Sequence, residues 1–98
     1  RGLFGADGGR RAALTQSFAD SATRDVGLIR AAPDAHQLAD LAHRLRGAAR
    51  MAGAKRLAER AACAETAAKA GDFAAARQAV EGMDRLLAET VRAMRSVV

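Results

Sequence analysis

The residues best equipped for chemistry in this chain stand close together: His43, Arg46 and Gly47, with Arg44 and Arg50 beside them. An exposed imidazole ordinarily titrates near about pH 6.5, so it is largely neutral at pH 7, and a neutral ring nitrogen is a usable nucleophile toward a phosphoryl group. Arg46, three residues on, offers a fixed positive charge of the kind that balances charge on phosphoryl oxygens. Gly47 is out of character. A glycine inside a helix costs about 1 kcal/mol relative to alanine, and a chain this rich in alanine would use it there unless a side chain obstructed something approaching. Together the three residues suit transfer of a phosphoryl group to and from a helix surface.

A helix must carry them, and the pattern over 34–52 supplies one. At about 100° per residue, Leu38, Leu41, Ala42, Leu45, Ala49 and Ala52 fall in one apolar stripe. His43 points away from it, with His36 and Asp40 on the preceding turns and Gly47 and Arg50 on the following ones. Pro33 disfavours helix in the residue before it, and Asp34 with Gln37 reads as an N-cap with a capping box. Gly53 suits a left-handed C-terminal cap.

Three further helices follow from spacing. The first spans 10–31, with Leu14, Phe18, Ala22, Val26 and Ile29 inward. Residues 1–9 contain Gly2, Gly5, Gly8 and Gly9 and read as a loose linker or short N-terminal cap, in which Leu3 and Phe4 are placed to cover the bundle. The third helix, 54–70, turns Leu57, Ala61, Ala64 and Ala68 inward; Gly71 ends it and Asp72 caps the next. Phe73, Ala76, Val80, Met83, Leu87, Thr90, Met94 and Val97 then form one unbroken stripe. With short turns this gives an all-α, antiparallel up-down-up-down four-helix bundle over 10–98.

The run His43, Arg44, Leu45, Arg46, Gly47, then Gly53 and Leu57, resembles the signature of histidine-containing phosphotransfer (HPt) domains of multistep phosphorelays, His-x-x-Lys-Gly with a second Gly and then a Leu. Arg46 stands where Lys is commoner, keeping the charge on a planar fork. Ala64-Glu65 and Gly71-Asp72 extend the likeness, which covers about 34–75 by motif. The resemblance implies that His43 is phosphorylated at Nε2 by the phospho-aspartate of a receiver domain and passes the group to an aspartate of a second receiver, a response regulator. It implies that Mg²⁺ belongs to the receiver, with no cofactor in this domain and no nucleotide site of its own. Arg46 would balance phosphoryl charge and Gly47 admit the partner's rim, while His36, Asp40, Arg44 and Arg50 would touch the partner. A linker-like start suggests the C-terminal module of a bacterial hybrid sensor histidine kinase, cytoplasmic, in an inner-membrane parent.

Composition narrows the remaining classes. Ninety-eight residues make one domain, with no apolar run near the ~20 residues that cross a bilayer. No phosphate loop, catalytic carboxylate pair or Ser-His-Asp set appears. Cys63, the single cysteine, precludes an internal disulfide and reads as a small semi-buried residue. His36, Asp40 and His43 share a face, but three exposed groups without supporting partners make a poor metal site. The net charge of +5 allows nucleic acid as a partner, yet aromatics for base stacking are only 3%. The cluster Arg44, Arg46, Arg50, Lys55 and Arg56 suits instead an acidic phosphoacceptor pocket. A plain docking or dimerisation domain would leave the last helix's stripe open; if that stripe is used internally, the domain is monomeric.

Overall fold

A computed structural model describes the backbone of residues 2–96 and the side chains of 9–96; Leu3, Phe4 and Val97, assigned above to capping and to the last stripe, have side chains outside that range. The chain forms α1 (Gly2–Ala31), α2 (Ala35–Met51), α3 (Lys55–Lys69), α4 (Phe73–Val80) and α5 (Met83–Ser96). It is a four-helix bundle whose fourth member is interrupted. α1 packs on α2, α2 on α3 and α3 on α4, and α5, which also touches α3, returns to α1 and closes the ring.

The turns form where their residues require them. The Asp34 side chain accepts from the Gln37 N–H at 2.8 Å, capping α2. Gly53 has φ +77°, and around it Ala54 N–H donates to Ala49 O and Gly53 N–H to Arg50 O, a Schellman cap. The same pair of bonds recurs at Gly71, and Asp72 accepts from the Ala75 N–H at 3.0 Å.

Three expectations need correction. Helix α1 starts at Gly2, so residues 2–9 are helical rather than loose: extending a helix already formed over the following turns needs no new nucleus, although each glycine there still disfavours it. Leu14 is 65% exposed, and the packed part of α1 begins at Thr15, continuing through Ala19, Ala22, Val26 and Ile29. The last stripe is not one helix. Glu81 (φ −60°, ψ 134°) and Gly82 (φ +77°) form the two centre positions of a type II turn, the second of which demands a positive φ. The turn preserves the spacing, so Ala76, Val80, Met83 and Leu87 are all buried. Thr90, Val91 and Met94 are half-buried, and the stripe is spent inside the bundle. Gly82→Ala is expected to cost about 1–2 kcal/mol, because an L-residue is strained in that conformation, as a lowered midpoint in urea unfolding.

Small side chains dominate the seam between α2 and α3. Ala42 and Ala49 on one side meet Ala58, Ala61, Ala64 and Ala68 on the other, with Leu38, Leu45 and Leu57 filling the remainder. Alanine seams let backbones approach closely, which brings the outer edge of α3 within reach of side chains on α2.

Candidate functional site

The helical stripe of α2 fixes where His43 goes: Ala42 and Leu45 are buried, so the residue between them on the wheel's outer side emerges at the α2–α3 seam. Its side chain is 62% exposed. Across the seam stands Glu65 of α3, whose side chain is only 5% exposed although it lies at the edge of the core; the longer side chains around it supply the cover. His43 Nδ1 and Glu65 Oε2 are 2.8 Å apart. Arg46 Nε lies 3.2 Å from Glu65 Oε1, and Lys69 Nζ 2.9 Å from Oε2. One carboxylate thus gathers an imidazole, a guanidinium and an ammonium.

The charge state of Glu65 decides what the imidazole can do. Burial pushes its carboxyl upward, but hydrogen bonds from Lys69 and His43, with the charges of Arg46 and Lys69, outweigh that and leave it below the ordinary 4.5. At neutral pH it is a carboxylate and can only accept. His43 Nδ1 must therefore carry the hydrogen. Arg46 Nη2 also lies 3.2 Å from Nδ1, but a nitrogen that donates to a carboxylate has no lone pair to accept with, so this second approach is contact rather than bonding. The neutral ring keeps its lone pair on Nε2, at the end away from the carboxylate. That is a nucleophile with a fixed tautomer, flanked by two cations.

Gly47 lies one turn further, exposed, and a Cβ built there meets nothing within 4 Å. Internal packing does not require the glycine. Arg50 lines a groove of about 420 Å³ together with Arg46, Gly53, Lys55, Ala58, Glu59 and Ala62, in which three basic side chains stand against one carboxylate and continue the mainly basic surface toward the α2–α3 turn.

The other candidates are not brought to this point. Arg44 turns toward α1 and pairs with the buried Asp25 at 3.3 Å, so its charge is engaged within the fold. His36 Nε2 and Asp40 Oδ2 approach each other at 3.7 Å on the open surface and do not join the His43–Glu65 pair. Among the described residues, no three His, Cys, Asp or Glu side chains gather into a metal-binding group. Cys63 is exposed rather than semi-buried.

Sequence reasoning named Glu65 only as part of a motif and passed over Lys69 and Asp25. A signal existed for the first two. Glu65 falls on the same inward arc as Ala61, Ala64 and Ala68, which forces a carboxylate toward the seam, and Lys69 follows at the i+4 spacing of a helical ion pair.

A helical bundle that presents one imidazole at a seam between two helices, held from beneath by a carboxylate and with open surface around it, is built as a phosphotransfer module. The chain belongs to the Hpt domain family, whose model matches residues 13–96. No curated protein and no solved structure matches it. Membership places the chain in two-component phosphorelay signalling and among the domains that interact with receivers. No described helix is long and apolar enough to cross a membrane.

Proposed function

We propose that His43 Nε2 receives a phosphoryl group from the phospho-aspartate of a receiver domain and delivers it to the aspartate of a response regulator. The observation that carries this reading is the 2.8 Å contact between His43 Nδ1 and the buried Glu65 carboxylate, which leaves Nε2 as the exposed lone pair. In the forward step the Nε2–P bond forms as the P–O bond to the donor aspartate breaks, and that aspartate leaves as a carboxylate. The ring takes on positive charge, which Glu65 balances through the hydrogen retained on Nδ1. Arg46, whose guanidinium lies by the Nδ1 edge of the ring against Glu65, adds a nearby positive charge that offsets part of the phosphoryl charge, and Gly47 leaves room for the rim of the partner's active site. In the return step Nε2 is the leaving group and the acceptor carboxylate the nucleophile. Arg50 extends the basic surface toward an acidic receiver pocket, and His36 and Asp40 lie further out along the same helix.

On this reading the domain needs no cofactor, and Mg²⁺ belongs to the receiver. The stripe of α5 being used internally supports a monomer, and the engagement of Arg44 with Asp25 takes one charge away from any nucleic-acid surface. The parent we favour is a bacterial hybrid sensor histidine kinase in the inner membrane, with this domain on the cytoplasmic side.

The test uses the whole chain. A phosphorylated receiver domain is mixed with it, and the product is digested and fragmented by electron transfer, since residues 31–44 form one tryptic segment holding both His36 and His43. Acid-labile phosphate on His43 is the expected result. Label on His36, acid-stable label on a hydroxyl group, or none from any receiver tried with the fold intact would overturn the reading.

A further inference from the structure

The face of the bundle opposite His43 carries a second cleft. Neighbouring helices follow one another around the ring, so the α2–α3 seam and the seam where α1 meets α4 and α5 lie on opposite sides. In the latter, a cleft of about 1010 Å³ opens between the last turns of α1 and the turn joining α4 to α5, lined in part by Gly27, Arg30, Arg77, Glu81, Asp84 and Arg85.

Two of its three arginines, Arg30 and Arg77, are held in place by neighbours. Arg77 Nη1 donates to the Arg30 backbone oxygen at 2.7 Å, and its guanidinium lies 5.7 Å from the Phe73 ring centroid. These two contacts fix the fork, and its other N–H groups have no partner among the described residues. Arg30 is paired with Asp84. Arg85 takes part in no ion pair among the described residues.

The second, independent observation is Gly27. Within the packed part of the bundle, Gly27 and Gly47 are the two glycines inside helices, and at each a Cβ would meet nothing within 4 Å. Each weakens its helix, and neither is required by a neighbour. Gly47 leaves bare backbone beside the imidazole; Gly27 leaves bare backbone on the wall of the cleft. Bare backbone there admits close approach from outside.

We propose that the cleft binds an extended acidic peptide segment of a partner protein, with carboxylates on Arg77 and Arg85 and its backbone passing over Gly27. A planar guanidinium already held at one edge is suited to a two-pronged bond with a carboxylate. Glu81 on the same wall favours spaced carboxylates over a continuous acidic run. Because the cleft faces away from His43, a partner held there leaves the imidazole open, and the tether raises the local concentration of whatever the peptide is attached to.

The net charge of +5 attracts acidic peptides in general, so the deciding variant is one that changes no charge. Fluorescence anisotropy would follow a fluorescein-labelled peptide of glutamates separated by glycine and serine, on the wild-type chain, Gly27→Leu, Arg77→Gln, and the double variant Arg50→Gln, Lys55→Gln on the opposite face. The expected result is saturable binding that Gly27→Leu and Arg77→Gln each weaken about tenfold, while the double variant changes it less than about twofold. Unchanged binding by Gly27→Leu, an equal loss in the double variant, or no saturable binding by the wild type would overturn the proposal. Circular dichroism of Gly27→Leu verifies the fold, which the open space at this position predicts to be intact.

Discussion

Glu65→Gln is expected to slow phosphoryl uptake by His43 about a hundredfold while leaving the bundle folded. Glu65 as a carboxylate can only accept, and this fixes the hydrogen on Nδ1 and the lone pair on Nε2. A glutamine of the same shape can turn its NH₂ toward the ring and donate to Nδ1, which places the hydrogen on Nε2 and removes the nucleophile. Loss of the carboxylate also removes the charge that balances the phosphorylated ring. Transfer rates from a phosphorylated receiver check the kinetics, and ring ¹⁵N shifts of His43 check the cause. A slowed variant whose ring keeps its hydrogen on Nδ1 would show that Glu65 acts some other way. The same substitution has a signature in stability. Burial raises the carboxyl of Glu65, the hydrogen bonds and positive charges around it lower it more, and its native value lies below 4.5. Its contribution is therefore fully present above that ordinary value and lost as the pH falls through the depressed one. Thermal melts through the acid range should fall more gently for Glu65→Gln than for the wild type.

Gly47→Leu is expected to raise the stability of the domain and to cut transfer by about a hundredfold or more. The site is helical and exposed, with free space where the side chain would start, so replacing glycine removes a helix penalty of about 1 kcal/mol and creates no internal clash. The same side chain would stand beside the imidazole where the partner's active-site rim must come. In-line transfer tolerates little displacement of the reacting atoms. Gly47→Ala should show the same opposition in smaller measure. Urea unfolding and receiver-to-chain transfer on the same preparations make the comparison, and a variant that is stabilised yet transfers normally would remove Gly47 from the site.

Most of the fold was legible because it depends on local chemistry. The Asp34 and Asp72 caps, the stops at Gly53 and Gly71 and the inward arc of α2 are each written within a few residues. The break at Gly82 was hidden by its own neatness: a turn that keeps the apolar spacing from Val80 to Met83 looks like continuous helix to any argument from period. Leu14 was misassigned because periodicity tells which face a residue shares but not where the neighbouring helices end. His43, Arg46 and Gly47 are local to one helix and could be read as a group. Glu65, the residue that gives the imidazole its direction, is a neighbour only through the close alanine seam, a contact between helices that no spacing along one of them displays.

The division of labour between α2 and α3 has a consequence for fidelity. An isolated helix with the whole motif would still carry an imidazole, but in water a neutral imidazole distributes its hydrogen over both ring nitrogens. Only docking against α3 selects one form. The choice of tautomer is thus a property of tertiary structure, gained and lost with the folding transition itself. On the proposed function, a nascent, misfolded or proteolysed chain holding the complete signature has the imidazole without the fixed tautomer or the carboxylate that balances its charge, and is expected to transfer phosphoryl groups more slowly than the folded domain.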